Sequence, residues 1–387
     1  MIPISKTYFD EDDYKAVVQP LKDGWVIQGK FVKEFEDLFS VYTGAKNSIA
    51  VSSCSTAIQL AVAAMDLKEG DEVLVPAFTW IATANAVEYT GAKPVFVDID
   101  LSTFNVDVKK IEEKITSRTK GIIPVHLFGL CADMDSVMSI ANKHNLFVIE
   151  DAACALGSYY KGRHCGSFGE YGCFSFHPRK SITTGEGGMI TTKDNNKSEL
   201  CRSLRNHGVG KPGKDNYPFL LADYDNLGYN FRMTDIQGAL GVSQIKKIDF
   251  LLSERRRVAV LYNEMLKDIE NLKIPEERKD YTHSYQSYVC LYSPEIMNSA
   301  NVEKIFSKRN KIMNLLEEKG IMTRQGTHSV PAQNYYKKKY SIKEDDSINA
   351  LIAEKCSIAL PLYAGMKEED VDFVVKGLKS SLGTIIN

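Results

Sequence analysis

The chain has 387 residues, beyond the roughly 250–300 at which a single core stops growing, so two domains are expected. An ordinary soluble composition and a formal net charge of −2 give no global attraction to nucleic acid or anionic membrane. No apolar run approaches the ~18 residues of a membrane span.

The opening MIPISKTYFDEDD has no basic stretch leading into an apolar one, so no signal peptide is expected. The eight cysteines are scattered, several in apolar segments (Cys173, Cys290, Cys356), and none forms C-x-x-C. His164–Cys165 has no second pair to complete a zinc site. Free thiols in a reducing cytoplasm, and no metal, are expected.

Asp10–Leu21 reads as a capped helix with Tyr14, Val17, Val18 and Leu21 on one side. Phe31–Tyr42 follows as a helix with Phe35, Leu38 and Phe39 on one face. The rhythm then alternates. Strands are expected at Ser48–Val51, Glu72–Val75, Pro94–Val97, Gly121–Val125 and Leu146–Ile149, and helices at Ser55–Met65, Ile81–Tyr89, Val108–Ile115 and Met134–His144. Apolar strands between helices imply a mostly parallel sheet covered on both faces, with ligands beyond the strands' carboxyl ends.

Ser198–Asn206 is a further helix, followed by a polar loop, His207–Gly228. Thr234 opens one long helix running through Arg255–Arg257 toward Leu266. Past about Asn271 the texture becomes α+β: strands at Tyr285–Tyr292 and Ser357–Leu360, helices at Val302–Lys319 and Asp370–Leu382. The expected division is a large domain over residues 1–250, with the N-terminal segment able to pack on the small domain, and a small C-terminal domain over 251–387.

Four features lie at strand ends. Ser52–Ser53–Cys54–Ser55–Thr56 runs straight into a helix, which suits a phosphate and equally suits a simple N-cap. Trp80, in Pro76–Ala77–Phe78–Thr79–Trp80, can stack on a planar heterocycle or belong to the core. Glu150–Asp151 ends an apolar strand, where a carboxylate needs a partner: a pyridinium nitrogen, a helix N-terminus or a salt bridge.

Lys180 is the fourth, in Phe174–Ser175–Phe176–His177–Pro178–Arg179–Lys180, and a Gly/Thr turn through Gly185–Gly188 leads into the strand Met189–Thr192. It is either a surface lysine or an amine nucleophile able to form a Schiff base. Together these supply a phosphate seat, a ring stack, a ring-nitrogen acid and a lysine, the parts of a pyridoxal phosphate (PLP) site.

Gly208–Val209–Gly210–Lys211–Pro212–Gly213 matches G-x-G-x-x-G literally, but Arg205–Asn206–His207 precedes it and Pro212 interrupts it. It lacks the strand and helix of a dinucleotide site and reads as a loop. Arg255–Arg257 and Lys337–Lys339 read as solvated faces.

These residues carry a family resemblance. The chain resembles the DegT/StrS family of PLP-dependent sugar aminotransferases over essentially its whole length. The match includes Gly24–Trp25 through Gly29, Val51–Ser52–Ser53, Ala77–Phe78–Thr79–Trp80, Pro124–Val125–His126–Leu127–Phe128–Gly129, Glu150–Asp151–Ala152–Ala153, Thr184–Gly185–Glu186–Gly187–Gly188 and Gly228–Tyr229–Asn230–Phe231–Arg232–Met233–Thr234–Asp235. The resemblance implies a fold-type I architecture, with a large α/β domain around a mostly parallel sheet and a smaller α+β domain.

It also implies roles. Lys180 falls on the Schiff-base lysine, Asp151 on the acid pairing with the pyridine nitrogen, and Trp80 on the aromatic over the ring. Ser55, Thr56 and Ser175 fall on phosphate-side positions, with His177 in the same pocket. Asn230 falls on an asparagine that reaches the cofactor phosphate from a partner subunit, so a homodimer with shared active sites is implied. Arg232, Arg324 and His328 are candidates for the substrate. Two departures stand out: Cys154 where many members carry Gln, His or Glu, and Cys54 where a glycine is frequent.

The implied reaction moves an amino group from L-glutamate to a nucleotide-linked keto-sugar, most often a 4-keto-6-deoxyhexose, for lipopolysaccharide, capsule or glycan synthesis. A cyclitol acceptor is another option within the family. Two other readings are a sugar dehydratase of the same family, which carries histidine in place of Lys180, and a binding or regulatory protein that has kept the fold.

Overall fold

A computed structural model describes residues 1–210, 221–276 and 278–386. Helix α1, Glu11–Asp23, starts at an Asp10 capping box: the Asp10 side chain accepts from the Asp12 and Asp13 N–H groups, and Asp13 accepts from Asp10 N at 3.0 Å. Gly24 ends it at φ 71°, a left-handed C-cap that glycine adopts without Cβ strain. Its apolar side is exposed: Tyr14 (54%), Val18 and Leu21 (59%) face outward, while Asp13 and Pro20 are buried. Helix α2, Lys30–Thr43, buries Phe35 and Phe39.

The central sheet has seven strands: β1 Asn47–Val51, β2 Glu72–Pro76, β3 Lys93–Val97, β4 Thr119–Ile122, β5 Phe147–Asp151, β6 Tyr171–Ser175 and β7 Gly188–Thr192. Their order is β1-β7-β6-β5-β4-β2-β3, and only β7 runs antiparallel to its neighbours. Successive residues serve opposite faces. Ala50, Leu74, Val148 and Met189 pack into one apolar cluster, and Ile49, Val73, Ile149 and Ile190 into another. Helices α3 (Cys54–Ala63), α4 (Ala82–Glu88) and α5 (Met134–His144) connect strands, and α6 (Asn195–Arg205) follows the last of them.

Four expectations are corrected. Val108–Ile115 is two short 3₁₀ turns, Val108–Lys110 and Glu112–Lys114. The long helix after Thr234 is two helices, α7 (Asp235–Lys246) and α8 (Ile248–Leu266). They break at Lys247, whose φ of −112° leaves the helical region, while its Nζ pairs with Asp10 at 2.5 Å and the buried Asp13 at 3.0 Å. The Tyr285–Tyr292 strand begins only at Tyr288, because Tyr285 adopts φ 48° and stacks on His283. Arg255 is no solvated residue, being 4% exposed.

The C-terminal part has a three-stranded antiparallel sheet, β8 (Leu272–Lys273), β9 (Tyr288–Tyr292) and β10 (Ser357–Leu360), with β9 central. Helices α9 (Val302–Glu318), α10 (Asn334–Tyr340), α11 (Ile348–Cys356) and α12 (Glu368–Ile386) complete it. Within α8, Ile248, Leu251 and Leu252 pack in the large-sheet cluster, whereas Val258, Tyr262 and Leu266 pack with the C-terminal strands. The N-terminus joins the C-terminal part through Ile2, which bridges Ile321. Phe78–Thr79 pairs antiparallel with His328–Ser329, tying a strand-end loop of the large sheet to the small unit.

Candidate active site

Six strands of the sheet end on the same edge from which β7 starts, so their loops converge there. After β1, Ser53 caps α3: its Oγ accepts from Thr56 N at 3.1 Å, and Thr56 Oγ1 accepts from Ser53 N at 3.1 Å. Ser55 is exposed and Thr56 partly buried. A Cβ added to Gly188, where β7 starts, would lie 2.4 Å from Ser53 O, so only glycine lets that strand pass so close. The Asn230–Arg232 segment lies alongside, with Ser52 N donating to Phe231 O at 2.9 Å.

At the end of β5, Asp151 is buried. Its Oδ2 accepts from Thr83 Oγ1 at 2.7 Å and its Oδ1 from Ala153 N at 3.1 Å. Burial pushes its pKa above the ordinary carboxylate value, although Thr83, Ala153 and the Lys180 charge oppose this. Among the described residues no salt bridge compensates it. A buried carboxylate with hydrogen bonds but no salt bridge suits the protonated ring nitrogen of PLP.

Lys180 follows β6. Its N–H donates to His177 O at 2.8 Å, its carbonyl accepts from Arg255 Nη2 at 3.2 Å, and its Nζ donates to Cys154 Sγ at 3.1 Å. Cys54 sits among the same groups. Burial raises its thiol pKa, the Asp151 charge adds to this, and Lys180 works against it. Lys180, Asp151, Cys154 and Cys54 therefore share one patch.

Ser175 is partly buried, with its Oγ accepting from His177 N at 3.4 Å. His177 Nδ1 accepts from Arg179 N at 3.2 Å, and burial lowers the pKa of the ring. The neutral imidazole therefore carries its proton on Nε2.

Trp80 is 57% exposed, with its ring centroid 5.6 Å from that of His328 at a 44° tilt. The strand pairing of Phe78–Thr79 with His328–Ser329 produces this contact between residues 248 positions apart. Arg324 is exposed and its backbone pairs with Ala359. Burial lowers the pKa of Arg179, and the Arg324 charge lowers it further, so the two guanidinium groups are close enough for their charges to repel.

Arg232 is held elsewhere, its Nη1 donating to Asn206 Oδ1 at 2.5 Å. The Asn230 side chain is exposed. Of the G-x-G-x-x-G segment, only Gly208–Gly210 is described; Lys211–Gly213 lies outside the described residues.

Sequence reasoning missed Arg179, whose only signal was its adjacency to Lys180. It also missed a buried polar cluster beneath the site. Glu150 accepts from Gly166 N, Phe168 N and Gly169 N at 2.6, 2.6 and 2.8 Å and from His126 Nε2 at 2.9 Å. His126, Cys131 and Cys165 bring ligand atoms within 4.8 Å of one another, a grouping that the cysteine spacing hides. Both ring nitrogens of His126 are committed, Nδ1 accepting from Ala132 N at 3.1 Å. The cluster is a hydrogen-bonded core.

No described helix is long and apolar enough to cross a membrane. Residues 7–379 match the DegT/DnrJ/EryC1/StrS aminotransferase family. The chain is 37% identical over 386 residues to GDP-perosamine synthase of Caulobacter vibrioides, covering 98% of each protein. Its structure is similar to Helicobacter pylori PseC, an aminotransferase of pseudoaminic acid biosynthesis (28% identity, TM-score 0.91, 99% of each chain). It is also similar to the PLP form of a putative sugar aminotransferase, Spr1654 of Streptococcus pneumoniae (27% identity, TM-score 0.92, all of each chain). The chain therefore belongs to the DegT/DnrJ/EryC1/StrS family: it is a PLP-dependent sugar aminotransferase with the fold-type I architecture, acting between an amino donor and a keto-sugar.

Proposed function

We propose that this enzyme moves an amino group from L-glutamate to a nucleotide-linked keto-sugar, a 4-keto-6-deoxyhexose, for cell-surface glycan synthesis. The observation that carries the site assignment is the convergence of Lys180 with the buried Asp151, which has no salt bridge among the described residues, beyond adjacent strand ends. The likeness to GDP-perosamine synthase supports a GDP-linked acceptor.

When bound, PLP supplies a protonated ring that takes up the electron pair left as the donor's α-carbon loses its proton. Asp151 holds the proton on the ring nitrogen, and Thr83 and Ala153 N fix the carboxylate's orientation. Lys180 Nζ would take the proton from the donor's α-carbon as a base and pass it as an acid to the C4′ carbon of the cofactor, and in the second half-reaction it would work in reverse, delivering a proton to the sugar carbon. Ser55, Thr56 and Ser175 seat the phosphate, with His177 beside them.

Trp80 covers the ring face and, with His328, walls the mouth. The neighbouring charges of Arg179 and Arg324 attract the anionic part of the acceptor. Arg232 has a lesser claim, because Asn206 already occupies it. Asn230 completes the phosphate site of a partner subunit. The exposed apolar stripe of Tyr14, Leu21, Trp25 and Ile27 supports this dimer.

The test is the near-visible absorbance of PLP-loaded protein as L-glutamate, and then a panel of GDP-, UDP- and dTDP-linked keto-sugars, are added. Bleaching by glutamate and recovery with one sugar is the expected result. An absorbance indifferent to glutamate overturns the donor assignment. In Lys180→Ala, the lysine-dependent band and both half-reactions are expected to disappear.

A further inference from the structure

A cavity is lined by Lys180 itself and by Lys6, Thr7, Ser181, Gln244 and Arg255 among others, with no carboxylate in its wall. Arg255 is 4% exposed. Its Nη1 donates to Gln286 O at 3.2 Å, with Tyr285 O at 3.5 Å, and its Nη2 donates to Lys180 O at 3.2 Å. Its Nε is buried and donates to no group among the described residues, and the buried Ser181 Oγ in the same wall is likewise without a partner.

Arg205 shows how a buried guanidinium in this fold can be answered by an acid. Arg205, equally buried, meets Glu36 Oε1 at 2.7 Å. For Arg255 the only influence on its pKa is burial, which pulls it down to about 10. Peptide carbonyls accept its hydrogen bonds but do not neutralise its charge, and a buried cation without a counter-charge is costly. Lys6 adds a second positive charge to the wall. A buried cation, two orphaned donors and an acid-free wall are complementary to a small anion.

We infer that this cavity holds a single monovalent halide ion against Arg255 Nε and Ser181 Oγ. The cavity has Lys180 in its wall but none of the other groups assigned above to the cofactor and substrate, and Arg255 holds the carbonyl of Lys180. Halide occupancy therefore steadies the backbone that carries the lysine, and chloride is a stabilising ligand of the folded holoenzyme.

The test melts PLP-loaded protein in sodium chloride, sodium bromide and sodium gluconate at equal ionic strength. The expected result is a saturable rise of roughly 2 °C or more in both halides over gluconate. The halide-specific rise should vanish in Arg255→Gln and shrink in Ser181→Ala. Should Arg255→Gln fail to fold, crystals of the unaltered holoenzyme grown in bromide decide the matter, with an anomalous peak expected beside Arg255 Nε. A water without anomalous signal at that position, or an undiminished halide response in a folded Arg255→Gln, overturns the inference.

Discussion

Lys180 Nζ lies 3.1 Å from Cys154 Sγ, and Cys154 is the one cysteine of the eight that is not buried. Sulfur is a weak acceptor. The lysine of this chain is thus held by a softer contact than an amide or carboxylate at that position would give. Cys154→Ala is expected to slow the donor half-reaction by roughly 5–10-fold, the loss of about 1 kcal/mol. Cys154→Gln, with a stronger acceptor, should displace the pH midpoint of the bound cofactor's absorbance relative to Ala. Thermal stability should change little in either, since the site is only partly buried. Identical half-reaction rates and midpoints in all three proteins would show that the thiol plays no part.

Asp151→Asn separates the cost of a buried charge from its use. In the cofactor-free protein, burial raises the Asp151 pKa. A raised acid holds its proton more tightly when folded, so its contribution to stability falls as pH rises from the unfolded value through the folded one. At pH 7 the cofactor-free Asn variant should therefore be at least as stable as the parent, and the difference should close in acid. Transamination should fall by at least about 100-fold, the scale of losing one preorganised electrostatic group. Paired melts from pH 4 to 8 and one activity assay check both halves.

The order of strand ends was legible because each carries its own local signal: an apolar run, then Ser-rich, aromatic or acidic residues leading into a helix. Asp151 ends β5 and Lys180 follows β6, its parallel neighbour, and the α/β rhythm marked both as lying at strand ends. Thr83 as the partner of Asp151 was not legible, because that bond spans 68 residues and depends on how α4 returns to the sheet. The break at Lys247 was equally hidden. The apolar period continues across it, and the ion pairs with Asp10 and Asp13 are long-range. Arg255 read as a surface cation because its neighbours Arg256 and Arg257 are basic too. Burial among carbonyls leaves no trace in composition.

Glu150 shows the opposite electrostatic balance from its neighbour. Burial raises its pKa, but His126 and the N–H groups of Gly169 and Gly166 more than offset this and hold it below the ordinary value. A depressed acid contributes stability above its unfolded pKa and loses it as pH falls through the folded one. Glu150→Gln is expected to cost roughly 1.5–3 kcal/mol near neutral pH, the scale of hydrogen bonds to a charged group. The difference from the parent should narrow in acid. Denaturant melts at pH 7 and pH 4 measure it. A gap that does not change with pH would mean the ionised form contributes nothing.

The exposed stripe on α1 and the segment after it give the last prediction. Leu21 is 59% exposed, Trp25 55% and Ile27 61%, close together in sequence on one flank. Exposed apolar side chains grouped in this way suit the proposed dimer interface. Asp235 fixes this flank by accepting from Gly29 N and Val32 N, both at 2.9 Å, and α7, which it begins, follows closely on Asn230 and Arg232. Leu21→Glu with Ile27→Glu should leave the single chain folded, because neither side chain is buried within it, while preventing association. Sedimentation should then give single chains. The near-visible absorbance of the cofactor should also fall at PLP concentrations that saturate the parent, because each phosphate site loses Asn230 of the neighbouring chain. A double variant that stays dimeric and keeps full absorbance would place the interface elsewhere. One that becomes monomeric and still binds PLP as tightly would remove Asn230 from the phosphate site.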